Sequence, residues 1–555
     1  MPPAMVCAQQ SAIDTYAITN ARIVTVSGPI IERGTVVVRN GLVNAVGANI
    51  GAPQDARIID GNGLTVYPGL IDANTTFGIP IPTASTSTPR AGTITAGLAA
   101  PPAAVSSQNS SQPPGLQPEI LAADILRSFG DSLETARAAG IAAALTAPRE
   151  GIFIGQSALI NLAGDTPQQM IVRSPVALHV GFTPLGSGAY PASLMGVIAS
   201  IRQMLLDAGR YREVNAIYAR SPRGLRRPEQ DKSLAALLPV LAREMPVVMY
   251  ADREREILRA LDLAQEFNLR LIIAGGAEAW KLADRLRALK VPVLLSLNFP
   301  RRTTPQSPEA APDPLRILRE RIDAPKTAGR LAIAGVRFAF QSGQMTNMTD
   351  FLTNATKTVE NNLQRDEALR ALTIYPAEIF GVADRLGTIE PGKIANLTIT
   401  RGDLFDRNRR IAYVFIDGRP VDLKPATTAP PGTTGPVASG TWTLRVNTGD
   451  SREASVTLTL QQEGERLSGS LQGDLGSASI ANASIGQTGD VRFTAPVNVG
   501  GLTTEAAFSG TITGNEMRGT VQIVGRAPGS FTGTRAGGSA PTSARPPQDA
   551  SSVRQ

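Results

Sequence analysis

From Glu119 to Asp384 the chain alternates helical patterns with short runs that are apolar at every position: DSLETARAAG then IAAALTAP, REREILRALDLAQEFN then LRLIIAGG, AWKLADRLRALK then VPVLLSL, and finally LAIAGVRFAF. A strand with no polar alternation must be covered on both faces, which is the condition of parallel strands flanked by helices. Repetition of such units over this length fits a TIM-type (β/α)8 barrel, an α/β fold, better than an open sheet. The barrel is expected over 67–384, with chemistry placed where its strands end.

Both sides of this region read as β. Residues 16–66 alternate in short stretches (YAITNARIVTV, GTVVVRNGLVNAVG, ARIIDGNGLTVYPG), with Asn40-Gly41 and Asn62-Gly63 as expected hairpin turns. Residues 385–424 return to the same pattern and supply too few strands for a fold of their own. The two segments are therefore expected to form one discontinuous small β-sandwich domain, with the barrel inserted in it. Pro80 to Pro118, rich in Pro, Ser, Thr and Ala, reads as a long surface loop. Residues 425–438 are a Pro/Gly/Thr linker, and 439–535 carry about eight alternating strands with turns such as QTGD and TGNE, an independent antiparallel barrel or sandwich. A disordered tail is expected over 536–555.

Composition narrows the function classes. The 555 residues are 42% hydrophobic and 18% charged, and no apolar run approaches the ~20 residues of a membrane span, so a soluble protein is expected. The net charge of +7 is spread over arginines that stand beside prolines and acids, which argues against nucleic-acid binding. Cys7 is the only cysteine, so neither an intrachain disulfide nor a thiolate metal cluster can form. Residues 1–15 begin MPPAMVCAQQ, which reads as the end of a secretory signal, as a lipidated Cys7, or as a disordered N-terminus; the first two place the protein in the periplasm or outside the cell.

Where the first apolar strand runs out, the sequence is YPGLIDANTTFG, residues 67–78. NARIVTVSGPIIERGTVVVRNGLVNAVG with VYPGLIDA, and ALTIYPAEIFGVADRLGTIEPGKIANLTI near the other end, resemble the amidohydrolase superfamily in its imidazolonepropionase-like branch, over residues 16–424. GQSALINL and RGLRRPEQD are similar to stretches of secreted bacterial relatives. The resemblance implies a hydrolase of non-peptide carbon–nitrogen bonds that holds one or two divalent metals, usually zinc, at the barrel mouth, where metal-bound hydroxide attacks and an aspartate moves the proton. In the family the first strand supplies H-x-H; those places are Asn74 and Thr76 here. The later histidines fall on Tyr250 and Ala277, and the aspartate of the last strand falls on Gly343. The whole chain has one histidine, His179, and no lysine before Lys232, so neither a histidine-based zinc centre nor a bridging carbamylated lysine in the first half of the barrel can be assembled. No metal cofactor is expected.

Other chemistry has few candidates. His179 could serve as a general base but reads first as a hydrogen-bonded structural residue. Ser157 with His179 would make a hydrolase pair, yet GQSAL is not a nucleophile elbow. Asp72, Asp252 and Glu278 belong near strand ends, where they could bind a hard cation or do metal-free acid–base work; equally, Asp72 could hold loop backbone while the other two begin helices. The glycines of REGIFIGQS lack the following helix a phosphate cradle needs. Three functions follow as expectations. The first is a superfamily member that has lost its metal and binds a small molecule, or pairs as a homodimer or with an active homologue. The second is a hydrolase with carboxylate-based or metal-independent chemistry at the same mouth. The third is an envelope scaffold that uses the C-terminal β domain.

Overall fold

The computed structural model describes residues 15–80, 110, 112–185, 190–300, 313–343, 345, 347–423, 438–447, 453–463, 466–486, 489–499, 502–523 and 529–535. The readings of residues 1–14, of most of 80–118, of 425–437 and of the tail therefore lie outside the described residues. The chain divides into two compact units, Met1–Ala426 and Thr427–Gln555.

The first unit opens with β1 (Thr15–Ile23), β2 (Ile31–Arg39), β3 (Leu42–Gly47), β4 (Arg57–Asp60) and β5 (Leu64–Pro68). Asn40 and Gly41 both adopt positive φ, 51° and 80°, which is the backbone of the tight turn joining β2 to antiparallel β3. The second expected hairpin does not form. β4 and β5 each pair with β1 in parallel, so Asn62-Gly63 carries the chain along one edge of β1 instead of reversing it. The chain does turn at Asn62-Gly63, but the strands on either side of it pair with β1 and not with each other.

The barrel follows: β6 (Leu70–Thr75), β7 (Ile141–Thr146), β8 (Phe153–Gln156), β9 (Ala158–Asn161), β10 (Ile171–Arg173), β11 (Leu178–Val180), β12 (Val247–Ala251), β13 (Leu271–Gly275), β14 (Val293–Ser296) and β15 (Phe338–Gln341). β6 pairs in parallel with β7, and β11 to β15 pair in parallel in succession. Between β7 and β11 the third position of the wall is filled by β8–β9 running the other way, with β9 antiparallel to β7 and β8 antiparallel to β11. Gly343 N donates to Asn74 O at 3.1 Å and so links the last strand back to the first. Ile71, Ala143, Leu145, Val248, Ile272 and Leu294 fill the lumen, while the opposite faces of the strands pack against helices. The C-terminal part of the expected surface loop is corrected by this packing: Leu116 and Gln117 are buried, and Leu116 bridges to Phe153.

Helix ends explain why the units repeat so regularly. After the helix that ends near Glu266, Asn268 takes φ 54° and Leu269 N donates back to Ala264 O at 2.8 Å; after Ala288, Lys290 takes φ 54° and Val291 N reaches Leu286 O at 2.9 Å. Gly335 with Val336, Asn362 with Leu363 and Gly381 with Val382 repeat the arrangement. Each is a left-handed residue followed by an apolar one that folds back onto the helix, which satisfies orphan carbonyls and aims the chain at its next element.

The chain then returns as β16 (Leu397–Arg401), β17 (Arg410–Ile416) and β18 (Arg419–Pro420). β16 pairs antiparallel with β5, giving a single sheet ordered β18-β17-β16-β5-β1-β2-β3 from both ends of the unit. Ile18, Val36, Val66, Leu397 and Phe415 share its core, with Tyr16 edge-on to Phe415 at 5.5 Å.

Among its described residues the second unit holds nine antiparallel strands, β19 (Gly440–Asn447), β20 (Glu453–Glu463), β21 (Arg466–Gly473), β22 (Gly476–Ser479), β23 (Ala481–Ile485), β24 (Asp490–Val499), β25 (Leu502–Thr513), β26 (Glu516–Ile523) and β27 (Gly529–Arg535). Pairing of β20 with both β19 and β21 closes a ring. Its interior is filled by side chains, among them Trp442, Phe493, Phe508 and Phe531, as an eight-position barrel of this size requires. Gly519 lies under the Phe531 ring, where a Cβ would approach the ring to 2.8 Å, and opposite Gly510, so neither strand has a side chain there to displace the ring.

Candidate functional site at the barrel mouth

Two of the positions where the family resemblance expects metal ligands meet. Tyr250, at the end of β12, donates its hydroxyl to Asn74 Oδ1 at 3.1 Å, although β12 and β6 lie on opposite sides of the ring. A hydrogen bond between strands that are not neighbours must cross the lumen. Asn74 Nδ2 donates in turn to Gln341 Oε1 at 2.6 Å, and Gln341 Nε2 donates to the Leu294 carbonyl at 2.6 Å. On the other side His179 Nδ1 lies 3.0 Å from the Tyr250 hydroxyl. The mouth is thus spanned by a chain of side chains from β11, β12, β6 and β15.

Burial sets the charge states along this chain. His179 is fully buried, and desolvation pulls its pKa down to about 3, so the ring is neutral. Burial likewise pushes Tyr250 up to about 12, against the opposing hydrogen bond to Asn74. Asp72, also fully buried, is raised to about 7 by desolvation, which outweighs the amides of Ser342 and Asn74 that donate to Oδ1 at 3.0 and 3.3 Å. The Ser342 hydroxyl lies by the carboxyl and favours its charged form, but neither that hydroxyl nor Asp72 Oδ2 meets hydrogen-bond geometry with a described partner.

The other candidates lie apart. Asp252 has part of its surface open to solvent, but its carboxyl packs against Gly275; desolvation raises its pKa, the Ala277 amide opposes this, and Glu256 and Glu320 add to the rise. Glu278 is held low: desolvation opposes its charge, and the bonds from Lys281 Nζ at 2.7 Å and Glu254 N at 2.8 Å overcome it. It caps the amide end of the neighbouring helix, which is an electrostatic duty for an acid. Thr76 is half-buried in the loop beyond β6, Ala277 accepts from Thr327 through its carbonyl, and Gly343 has φ 60° and no side chain to offer. Ser157 donates its hydroxyl to Ala177 O at 3.2 Å while His179 holds Tyr250, so the two form no catalytic pair. Gly151 and Gly155 run into β8, a strand, and make no phosphate cradle.

The donors at the mouth fit zinc poorly. Zinc takes neutral imidazole, thiolate or carboxylate; around the lumen stand side-chain amides, a neutral phenol, an imidazole already engaged through Nδ1, and one carboxyl, Asp72, whose Oδ1 is taken by two backbone amides. Among the described residues no three His, Cys, Asp or Glu side chains are placed to hold a cation. Gln341 is the residue that reading the sequence missed. The position expected to matter was Gly343, two residues on; the available signal was one polar residue ending the otherwise apolar strand FAFQ.

Comparison with known proteins follows the same frame. The amidohydrolase family model matches residues 309–421. An amidohydrolase from Thermotoga maritima superposes with a TM-score of 0.61 at 26% identity, covering 73% of this chain and 99% of its own. The N-acetylglucosamine-6-phosphate deacetylase of Haemophilus influenzae is 36% identical over 78 residues, 14% of this chain and 19% of the enzyme, so the match spans about a fifth of that relative's length. No helix among the described residues is long and apolar enough to cross a membrane.

Proposed function

The chain belongs to the amidohydrolase superfamily, and from that premise we propose that it is a member whose barrel has exchanged its metal centre for a fixed polar strut and serves as a binding or partner subunit. The observation that carries this is the Tyr250 to Asn74 hydrogen bond across the lumen. In the family, a histidine at each of these places would hold the metal; here the two side chains hold each other, and the single histidine of the chain is buried and neutral. A retained frame without its catalytic ion is suited to occupying a place in a homodimer, or beside an active homologue.

The test is turnover. Purified protein is offered nitrophenyl esters, nitroanilides and N-acetylglucosamine 6-phosphate, with added zinc or manganese and with chelator. The proposal expects no hydrolysis above the buffer blank in any arm; metal-dependent turnover abolished by chelator would contradict it.

One observation favours a second reading, metal-independent acid–base chemistry: a buried carboxyl, Asp72, that gains and loses its proton near neutrality. It requires chelator-insensitive hydrolysis that Asp72→Asn removes. Hydrolysis unchanged in that variant would end it.

A further inference from the structure

The hydrogen-bond chain across the mouth has a direction, and one backbone atom sets it. The Leu294 carbonyl can only accept, so the Gln341 nitrogen must face it and the Gln341 oxygen must face Asn74. Asn74 therefore presents its amide nitrogen to Gln341 and its oxygen to Tyr250. The Tyr250 hydroxyl has a single proton, which goes to Asn74, so toward His179 it can only accept. His179 must then carry its proton on Nδ1.

We infer that Gln341 is a positioning residue which, through Asn74 and Tyr250, locks His179 as the Nδ1–H tautomer and leaves Nε2 as a buried, bare acceptor. Free neutral histidine prefers the proton on Nε2, so the chain selects the less common form. Nε2 has no hydrogen-bond partner among the described residues, as this direction requires: a proton there would be buried without an acceptor. The same orientation ties β6, β11, β12, β14 and β15 together: reversing Gln341 alone breaks its bonds to Leu294 and Asn74, and reversing Asn74 alone breaks its bond to Gln341. The inference rests on the metal-free reading of the mouth, since a cation at Asn74 or Tyr250 would take the lone pairs the chain uses.

With one histidine in 555 residues, selective nitrogen-15 labelling of the full-length protein gives one pair of ring signals. At neutral pH the wild type is expected to show a protonated, pyrrole-type Nδ1 and a bare, pyridine-type Nε2. Gln341→Met removes the acceptor for Asn74 and frees its amide to turn, so signal should shift toward Nε2–H. Gln341→Glu, protonated in this buried site, can still donate to Leu294 and accept from Asn74, and should restore the wild-type pattern. Thermal unfolding establishes that each variant is folded, and the wild-type result stands without them. An Nε2–H wild type with no response to zinc would overturn the inference and leave the metal-free reading intact. Ring signals that move on addition of stoichiometric zinc would overturn that reading itself.

Discussion

At the residue scale, Asp72 and His179 pull stability in opposite directions. The folded pKa of Asp72 lies above its ordinary 3.8, at about 7, so between these values the folded state holds a proton that the unfolded chain releases. Its contribution is complete in acid and is lost as pH rises toward 7. His179 lies below its ordinary 6.5, at about 3, so the unfolded chain binds the extra proton, and stability is lost as pH falls from 6.5. Each effect is on the order of a few kcal/mol at full extent, and in the shared window they offset. Urea unfolding of the wild type should therefore change little between pH 4.5 and 6.5. Asp72→Asn should become more stable with rising pH across that window, and His179→Gln less stable. Parallel profiles for all three proteins would show that neither group is buried as described. The sequence singled out Asn74 and Tyr250, the first through the H-x-H spacing expected after Asp72-Ala73 and the second through the register of the strand PVVMYAD. That the two side chains meet was not legible. Side chains that meet across a lumen are separated by 176 residues in the chain, and no local pattern records that distance.

At the element scale, most left-handed residues after helices are Gly or Asn, and Lys290 is a point where sequence and backbone disagree measurably. Lys290 is exposed and holds φ 54°; its amide donates to Arg287 O at 3.0 Å but its side chain makes no described hydrogen bond, so a residue with a Cβ is being kept in a conformation that costs it about 1 kcal/mol. Lys290→Gly should raise unfolding free energy by roughly 0.5–1 kcal/mol, read as a higher urea midpoint at unchanged slope. Arg243 holds φ 61° but also bonds Asn268 O and Oδ1 at 2.9 and 2.6 Å, so the same change there should gain less or destabilise. Helices and buried strands were legible through periodicity, since Ile257, Ala260, Leu261 and Ala264 mark one buried face. Strand direction was not. An apolar run such as ALIN is the same string whether it runs up the wall or down it, and β8–β9 turned out to run down.

At the scale of the molecule, the first unit depends on both ends of its own chain. Leu397, Ile399 and Phe415 are buried in the sheet that β1 begins, and at about 2 kcal/mol each they approach the roughly 5–15 kcal/mol by which a domain is stable. A chain ending at residue 386 should therefore fail to fold. One ending at residue 426 keeps every contact of the first compact unit and should retain its unfolding midpoint to within roughly 2 °C, monitored by circular dichroism. The returning strands were legible because 385–424 offered too little β-structure to stand alone, which left the opening sheet as the only nearby edge to complete.

The central claim is that side chains now occupy the metal's place, and metal content tests it most directly. The full-length protein is purified after growth with zinc, manganese and iron, beside the Thermotoga amidohydrolase, and both are measured by elemental mass spectrometry. Substoichiometric metal in this protein, and less than in the relative, is the predicted result. One or more equivalents of metal per chain, retained through dialysis and lost with Tyr250→Phe or Asn74→Ala, would contradict the account.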